Sequence, residues 1–497
     1  MPKSKKSASF GRMTSHGFVS ADVEEPPAEY VIAELRYEAP VAFTGAKFAA
    51  PAAGKDQAEA LNAVLARHHV TALRPHFPVD RTAVRERAAV AAALPQGAST
   101  KAVANKAHDL SEFIQSGFVQ IIPKKGESPA KLAAALAKAK PVWNAYVAPR
   151  PVPAAVATGA SAASRNFEPA QGYLCAAPNG IGAASVWDLA GGRGQGITVC
   201  DIEGNWNRSH EDLPSGIPLL GGTPINDIGW RNHGTAVLGE MVSIPSIQGT
   251  AGICHRANAA VHSAIIGGVF NTAGAIAGAA AALKKGDVIL IELQATGPNG
   301  KYVAMQYWDD VFSAILVATQ KGITVVEAAG NGDENFQLAV FQNTGLQKDS
   351  GAIVVGAGVP PTNHVDFAGF PGVYPPYASL GVPRSRLWFS NYGKIVNVQG
   401  WGYHVTTLGY GDAQGGASEN RWYTLRFSGT SSASPIVTGA VACLQGRAKA
   451  KNGSPLTPAK VRQILMTTGT PQQAGPGVPL TQRIGPLPDL PEAMKLV

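Results

Sequence analysis

Charge is scarce in this chain. Asp, Glu, Lys and Arg make up 15% of its 497 residues, against 45% hydrophobic residues. A sequence so poor in charge is neither a disordered chain nor a coiled coil. Cysteine is scarce as well. Cys175, Cys200, Cys254 and Cys443 show no close pair spacing, which argues against a disulfide scaffold and a zinc site. Each reads as a buried free thiol. Long apolar runs are missing. No stretch reaches the ~18 uninterrupted apolar residues of a membrane helix, and the alanine-rich run at 272–283 is too short. No apolar stretch follows the cations Lys3, Lys5, Lys6 and Arg12, so the N-terminus does not read as a secretory leader. The net charge of +8 comes from 42 Lys and Arg against 34 Asp and Glu, with no basic run interleaved with aromatics. Nucleic acid is therefore not an expected partner.

Glycine and proline are plentiful, at 56 and 36 residues. In a chain this long they suit a large Gly-rich α/β core, with room for about two or three domains. Residues 1–27 read as a basic, solvated tail. Between 28 and 150 the pattern is strand (Tyr30–Arg36), helix (Gln57–Arg67), strand (Val70–Leu73), a charged insertion at 79–105, strand (Phe113–Ile122), helix (Pro129–Ala137) and strand (Val142–Val147). That order predicts a small α+β split βαβ unit. Residues 151–170, rich in Pro, Ala and Ser, read as a linker.

From 171 to 497 short apolar strands alternate with helices. The alternation predicts an α/β domain with a mainly parallel sheet covered on both faces. Ligand sites in such sheets lie at the carboxyl ends of the strands. A strand at 197–200 is expected to end at Asp201, and another runs into Ala328-Ala329-Gly330-Asn331. A small-residue helix is expected at 235–242, directly after His233. A second begins in Gly429-Thr430-Ser431-Ser432-Ala433.

These four places carry complementary chemistry. A serine in the first turn of a helix is surrounded by unpaired N–H groups that can stabilise an oxyanion. Its hydroxyl needs a general base, and the base needs an orienting carboxylate. Ser431, His233 and Asp201 fill those roles, with the Asn331 amide and the Ser431 N–H as oxyanion donors. Glu203 is the nearest rival to Asp201, but it stands further into a Gly-containing loop. Taken singly each has a bland reading: a helix cap, a loop histidine, a strand-end Asp, a Gly-Asn-Gly turn. Their combination in the order Asp, His, Asn, Ser is specific, and the stretch around Ser431 is not a G-x-S-x-G elbow.

The chain resembles the subtilisin-like serine peptidases, or subtilases, over about 171–490. The matching pieces are the Asp201 strand, Asn232-His233-Gly234-Thr235, Ala328-Ala329-Gly330-Asn331-Gly332, Phe389-Ser390-Asn391-Tyr392-Gly393, Gly429-Thr430-Ser431-Ser432-Ala433-Ser434-Pro435 and the helix from Leu456. The resemblance implies a serine endopeptidase acting on protein substrates through an acyl-enzyme. It also implies a substrate-binding edge at Glu292, Leu293 and Gln294, opposite Ala329 and Gly330. Glu292-Leu293-Gln294 replaces the family's usual Ser-Leu-Gly, and Gly400-Trp401-Gly402 its usual Ala-Pro-Gly. The loop at 242–252 lacks Asn and Asp, so the strong calcium loop looks absent and no cofactor is required for the chemistry. The N-terminal unit resembles the family's propeptide, which covers the active site, with 154–164 as the processing zone. Partners implied are a protein substrate, the chain's own propeptide and a separate inhibitory protein. Synthesis in the cytoplasm with non-classical export is the expectation that follows. A catalytically silent subtilase-fold binding protein is the alternative.

Overall fold

The computed structural model describes residues 29–79, 81–104, 106–107, 109–152, 164–361 and 380–497. The basic tail, nearly all of the expected processing zone and residues 362–379 lie outside these residues.

The N-terminal unit contains β1 (Val31–Leu35), α1 (Lys55–Arg67), β2 (Val70–Pro75), β3 (Phe118–Pro123), α2 (Pro129–Leu136) and β4 (Val142–Val147). Its antiparallel sheet has the order β2-β3-β1-β4, the split βαβ arrangement. One expected boundary moves. Phe113 lies in a short helix, Leu110–Gln115, and not in the strand. The cause is local: the Asp109 side chain accepts from the Glu112 N–H and caps that helix.

The larger unit contains β5 (Thr198–Glu203), α3 (Ile228–Val242), β6 (Asn258–Ser263), α4 (Thr272–Ala282), β7 (Val288–Ile291), β8 (Gln294–Thr296), β9 (Tyr302–Ala304), α5 (Asp309–Gln320), β10 (Thr324–Ala328), β11 (Ile353–Gly358), β12 (Val396–Trp401), β13 (Val405–Leu408), β14 (Tyr423–Phe427), α6 (Thr430–Asn452) and α7 (Pro458–Thr468). Six strands pair in parallel in the order β12-β11-β10-β7-β5-β6. Alternate strand residues serve two cores. Val199, Leu290, Val326 and Val355 pack with α3 and α6 residues such as Val237 and Val437. Ile202, Ile289, Ile291 and Val325 pack with α4 and α5 residues such as Ile276 and Ile315. Burial on both faces explains why these strands read as unbroken apolar runs. Among the described residues no helix is long and apolar enough to cross a membrane.

Two boundaries in this unit also differ from expectation, and both bear on the site. β5 does not end at Asp201. Its parallel pairing with β6 continues through Ile202 and Glu203, opposite His262 and Ser263. α3 does not begin after His233. It starts at Ile228, because the Asp227 side chain accepts from the Trp230 N–H and caps it there. His233 therefore sits in the second turn.

The small unit joins the second core. On β1, Val31, Ala33 and Leu35 face its own helices. Ile32, with the preceding Tyr30, faces the core shared with α4 and α5. Polar contacts reinforce the seam. His76 Nε2 lies 2.6 Å from Asp310 Oδ2, and Tyr146 donates to Asp310 Oδ1 at 2.5 Å. Asn144 donates to Asp309 Oδ2 at 2.8 Å, and the Tyr30 hydroxyl to the Phe270 carbonyl at 2.5 Å.

Glu327 lies mid-strand in β10, fully buried, with one oxygen accepting the Gln306 N–H at 2.8 Å. Burial pushes its carboxyl up to about 8, from 4.5. The unfolded chain releases this proton first, so stability falls as pH rises from 4.5 to about 8. Glu327→Gln is expected to flatten the loss of Tm between about pH 5 and about pH 8, measured by calorimetry; an unchanged slope would refute the assignment.

Candidate active site

Val199, Asp201 and Glu203 alternate onto one face of β5, beneath α3 and α6. The structure gives the histidine contact to the last of them. His233 Nδ1 lies 2.5 Å from Glu203 Oε1, and both side chains are fully buried. Asp201, expected to orient the ring, does something else: its Oδ2 accepts the Trp206 indole N–H at 2.7 Å. The correction follows from the extra strand length, which carries Glu203 one residue pair further toward the cleft. Gly204 ends the strand there, where a Cβ would stand 2.4 Å from the Trp230 ring. Gly234 allows the approach from the other side. A Cβ on it would come within 2.4 Å of the Asn205 carbonyl and 2.5 Å of the Trp206 ring. An acid followed directly by a strand-ending glycine, Glu203-Gly204, was the signal available in the sequence.

Ser431 is the second residue of α6, after Gly429 at φ 100°. The turn before it is tied to Asn331. Asn331 Oδ1 accepts from both the Thr430 N–H (2.8 Å) and the Thr430 hydroxyl (3.0 Å). With the oxygen so engaged, the amide nitrogen is the end left to donate. Thr430 Oγ1 in turn accepts the Gly330 N–H at 3.1 Å. Sequence reasoning did not single out this bracing threonine. His233 packs edge-on against Phe427, with ring centroids 5.4 Å apart, just upstream of Ser431. No hydrogen bond joins Ser431 to His233 here, and the buried His233 Nε2 has no partner among the described residues. Catalytic hydrogen bonds commonly tighten only with substrate bound.

The expected substrate edge divides by side-chain direction. Glu292 points inward, where its Oε1 accepts the Ser434 hydroxyl, one turn beyond Ser431. Leu293 belongs to the opposite core. Gln294 faces the Asn331 segment, its Oε1 accepting the Asn331 N–H at 2.8 Å. The Ala329 carbonyl is held by Asn391 Nδ2 at 2.7 Å, and Gly330, at φ 90°, abuts the same group. The Gln294 carbonyl accepts the Val152 N–H at 3.3 Å, so the chain leaving the small unit lies on this edge. Asp212 is spent on Thr250, whose N–H and hydroxyl donate to its Oδ2 at 2.7 and 3.2 Å.

Burial sets the electrostatics. It lowers the His233 imidazole to about 4, with Asp201 pulling the other way. The carboxyls of Asp201, Glu203, Glu240 and Glu292 are all pushed up by burial. A neutral imidazole beside a proton-sharing carboxyl is what this layer favours. Of the four, Glu203 alone meets the ring N–H, so it gains most from ionising when the imidazole takes a second proton.

A parallel sheet between helix layers, with serine, histidine and asparagine gathered at its strand and helix ends, defines a serine-type peptidase. The chain belongs to the subtilase family, whose profile matches residues 194–485. Among solved structures, fervidolysin from Fervidobacterium pennivorans, a keratinolytic enzyme related to subtilisin, aligns at 15% identity and TM-score 0.53. That alignment covers 96% of this chain and 62% of fervidolysin. A protease from Pseudoalteromonas arctica aligns at 18% identity and TM-score 0.46, covering 67% of this chain and 99% of that one. No curated protein matches the chain.

If Glu203 orients His233, Glu203→Gln should lower kcat by about 10³- to 10⁴-fold, and Asp201→Asn by less than about tenfold. Steady-state kinetics on a peptide substrate check the order; the reverse order would return the role to Asp201. Activity also requires the neutral ring, so kcat/KM should fall on the acid side with a midpoint near 4.

Proposed function

We propose that the chain is a serine endopeptidase that works through an acyl-enzyme and is restrained by its own N-terminal unit. The observation that carries the chemical reading is the buried His233–Glu203 contact, 2.5 Å long, beside the start of the helix that bears Ser431. A fixed Nδ1–H leaves Nε2 as the basic nitrogen. On attack His233 Nε2 takes the Ser431 proton, and the new N–H charge is balanced by Glu203. The carbonyl oxygen becomes an oxyanion held by Asn331 Nδ2 and the Ser431 N–H. Collapse expels the amine, which receives the proton from Nε2. Water then repeats the sequence on the ester and frees Ser431. The subtilase match supports the serine-peptidase reading, and the His233–Glu203 contact supports Glu203 in the orienting role in place of Asp201.

The restraint reading rests on position. The N-terminal unit shares a core with α4 and α5, and Val152 bonds to the carbonyl of Gln294 on the substrate edge. A strand laid on that edge occupies the place where substrate backbone would pair. The protein substrate, this unit as propeptide, and release after synthesis in the cytoplasm form one consistent scheme. A separate inhibitory protein would compete for the same edge. The chemistry calls for no metal or cofactor.

Ser431→Ala is expected to abolish turnover of casein without unfolding the chain; turnover retained in the variant would overturn Ser431 as the nucleophile, and a folded parent without turnover would favour the silent-scaffold alternative. The seam should respond to pH. Glu34, buried beside Asp309, Asp310, Arg87 and Lys348, is raised to about 8, first by burial and then by Asp309. Undocking returns it to an ordinary carboxyl, so docking weakens as pH rises toward 8. Glu34→Gln should therefore make the full chain slower to activate at about pH 8 while changing little near pH 5. Identical activation times for the variant and the parent at the higher pH would contradict this.

A further inference from the structure

Gln294 makes two bonds with two different parts of itself. Its carbonyl accepts the Val152 N–H at 3.3 Å, and its side chain crosses to accept the Asn331 N–H at 2.8 Å. The residue is 7% exposed. Consider a peptide whose carbonyl is attacked by Ser431. Its oxygen must reach Asn331 Nδ2, and its backbone must lie along the Gln294 edge. The side chain of the residue just before the scissile bond then projects between the Gln294 segment and the Ala329–Asn331 segment. In this chain the Gln294 carboxamide spans that gap.

We infer that Gln294 is a specificity-determining residue that confines cleavage to sites following alanine, glycine or serine. The inference rests on the serine-peptidase reading above and names its substrate class. A leucine or phenylalanine at this position would have to break the Gln294–Asn331 bond and leave a part-buried N–H without its protein partner. It would also disturb the residue that supplies the oxyanion donor. The chain's own sequence is consistent with this. Residues 153–164, which follow Val152, contain only Pro, Ala, Val, Thr, Gly and Ser. A chain that lies on this edge thus continues into residues that suit a closed pocket.

The test uses the full chain at steady turnover and peptide anilides that differ only in the residue before the scissile bond: Ala, Leu or Phe. The parent should favour Ala over Phe by on the order of 10- to 100-fold in kcat/KM. Gln294→Gly opens the gap and should move the Phe-to-Ala ratio by a similar factor toward Phe. Gln294→Met keeps the volume without the acceptor, so it should hold the ratio within a few-fold while lowering kcat for every substrate. The ratio is insensitive to partial loss of folded enzyme. A Ser431-dependent parent that favours Phe, or a ratio unmoved in Gln294→Gly, would overturn this inference alone. Absence of any Ser431-dependent hydrolysis would overturn the peptidase reading and this inference together.

Discussion

A charged group buried in a protein layer must find a partner or give up its charge. The contact between His233 and Glu203 is the centre of that constraint here. It lies between the parallel sheet and the helices α3 and α6, fully removed from solvent. Around it the fold manages other carboxyls by donating hydrogen bonds to them. Trp206 serves Asp201 and Ser434 serves Glu292. Glycines at 204 and 234 let strand, loop and helix close on one another. The geometry of the pair thus depends on packing at backbone distance, and small residues near it have little freedom to grow.

The same economy of contacts couples the site to the N-terminal unit. β1 alternates between its own helices and the core shared with α4 and α5. Val31, Ile32, Ala33 and Leu35 make it apolar on both faces because both faces are covered, with Glu34 the one acid among them. The chain leaving the unit places Val152 on the backbone of Gln294, whose side chain contacts Asn331. Contact with the N-terminal unit and support of Asn331 therefore meet in one residue, through its backbone and its side chain respectively. Thr430 completes the link, since it braces Asn331 from the residue next to Ser431.

Much was legible before the fold was known. Apolar runs separated by helical patterns specified the parallel α/β class, and the split βαβ order of the first unit followed from strand and helix spacing. Ser431, Asn331 and His233 stood out as candidates because each sits in a local context with its own chemistry: a Gly-Thr-Ser turn before a small-residue helix, a strand ending in Ala-Ala-Gly, a histidine before Gly-Thr-Ala. Helix starts were less legible. Asp109 and Asp227 cap helices earlier than hydrophobic periodicity suggested, because a cap acts through one side-chain bond and leaves no periodic trace.

By itself, then, the sequence determined the class of fold and singled out three candidate residues through their neighbours in the chain. Tertiary structure alone decided which carboxyl meets the histidine and what Gln294 does. Asp201 and Glu203 lie on the same face of one strand, with a single residue between them. The choice between them is set by where β5 stops pairing with β6 and where α3 crosses above it. The Gln294 side chain could have faced solvent. It turns inward, where Asn331, distant in sequence, offers a part-buried N–H that its carboxamide oxygen accepts.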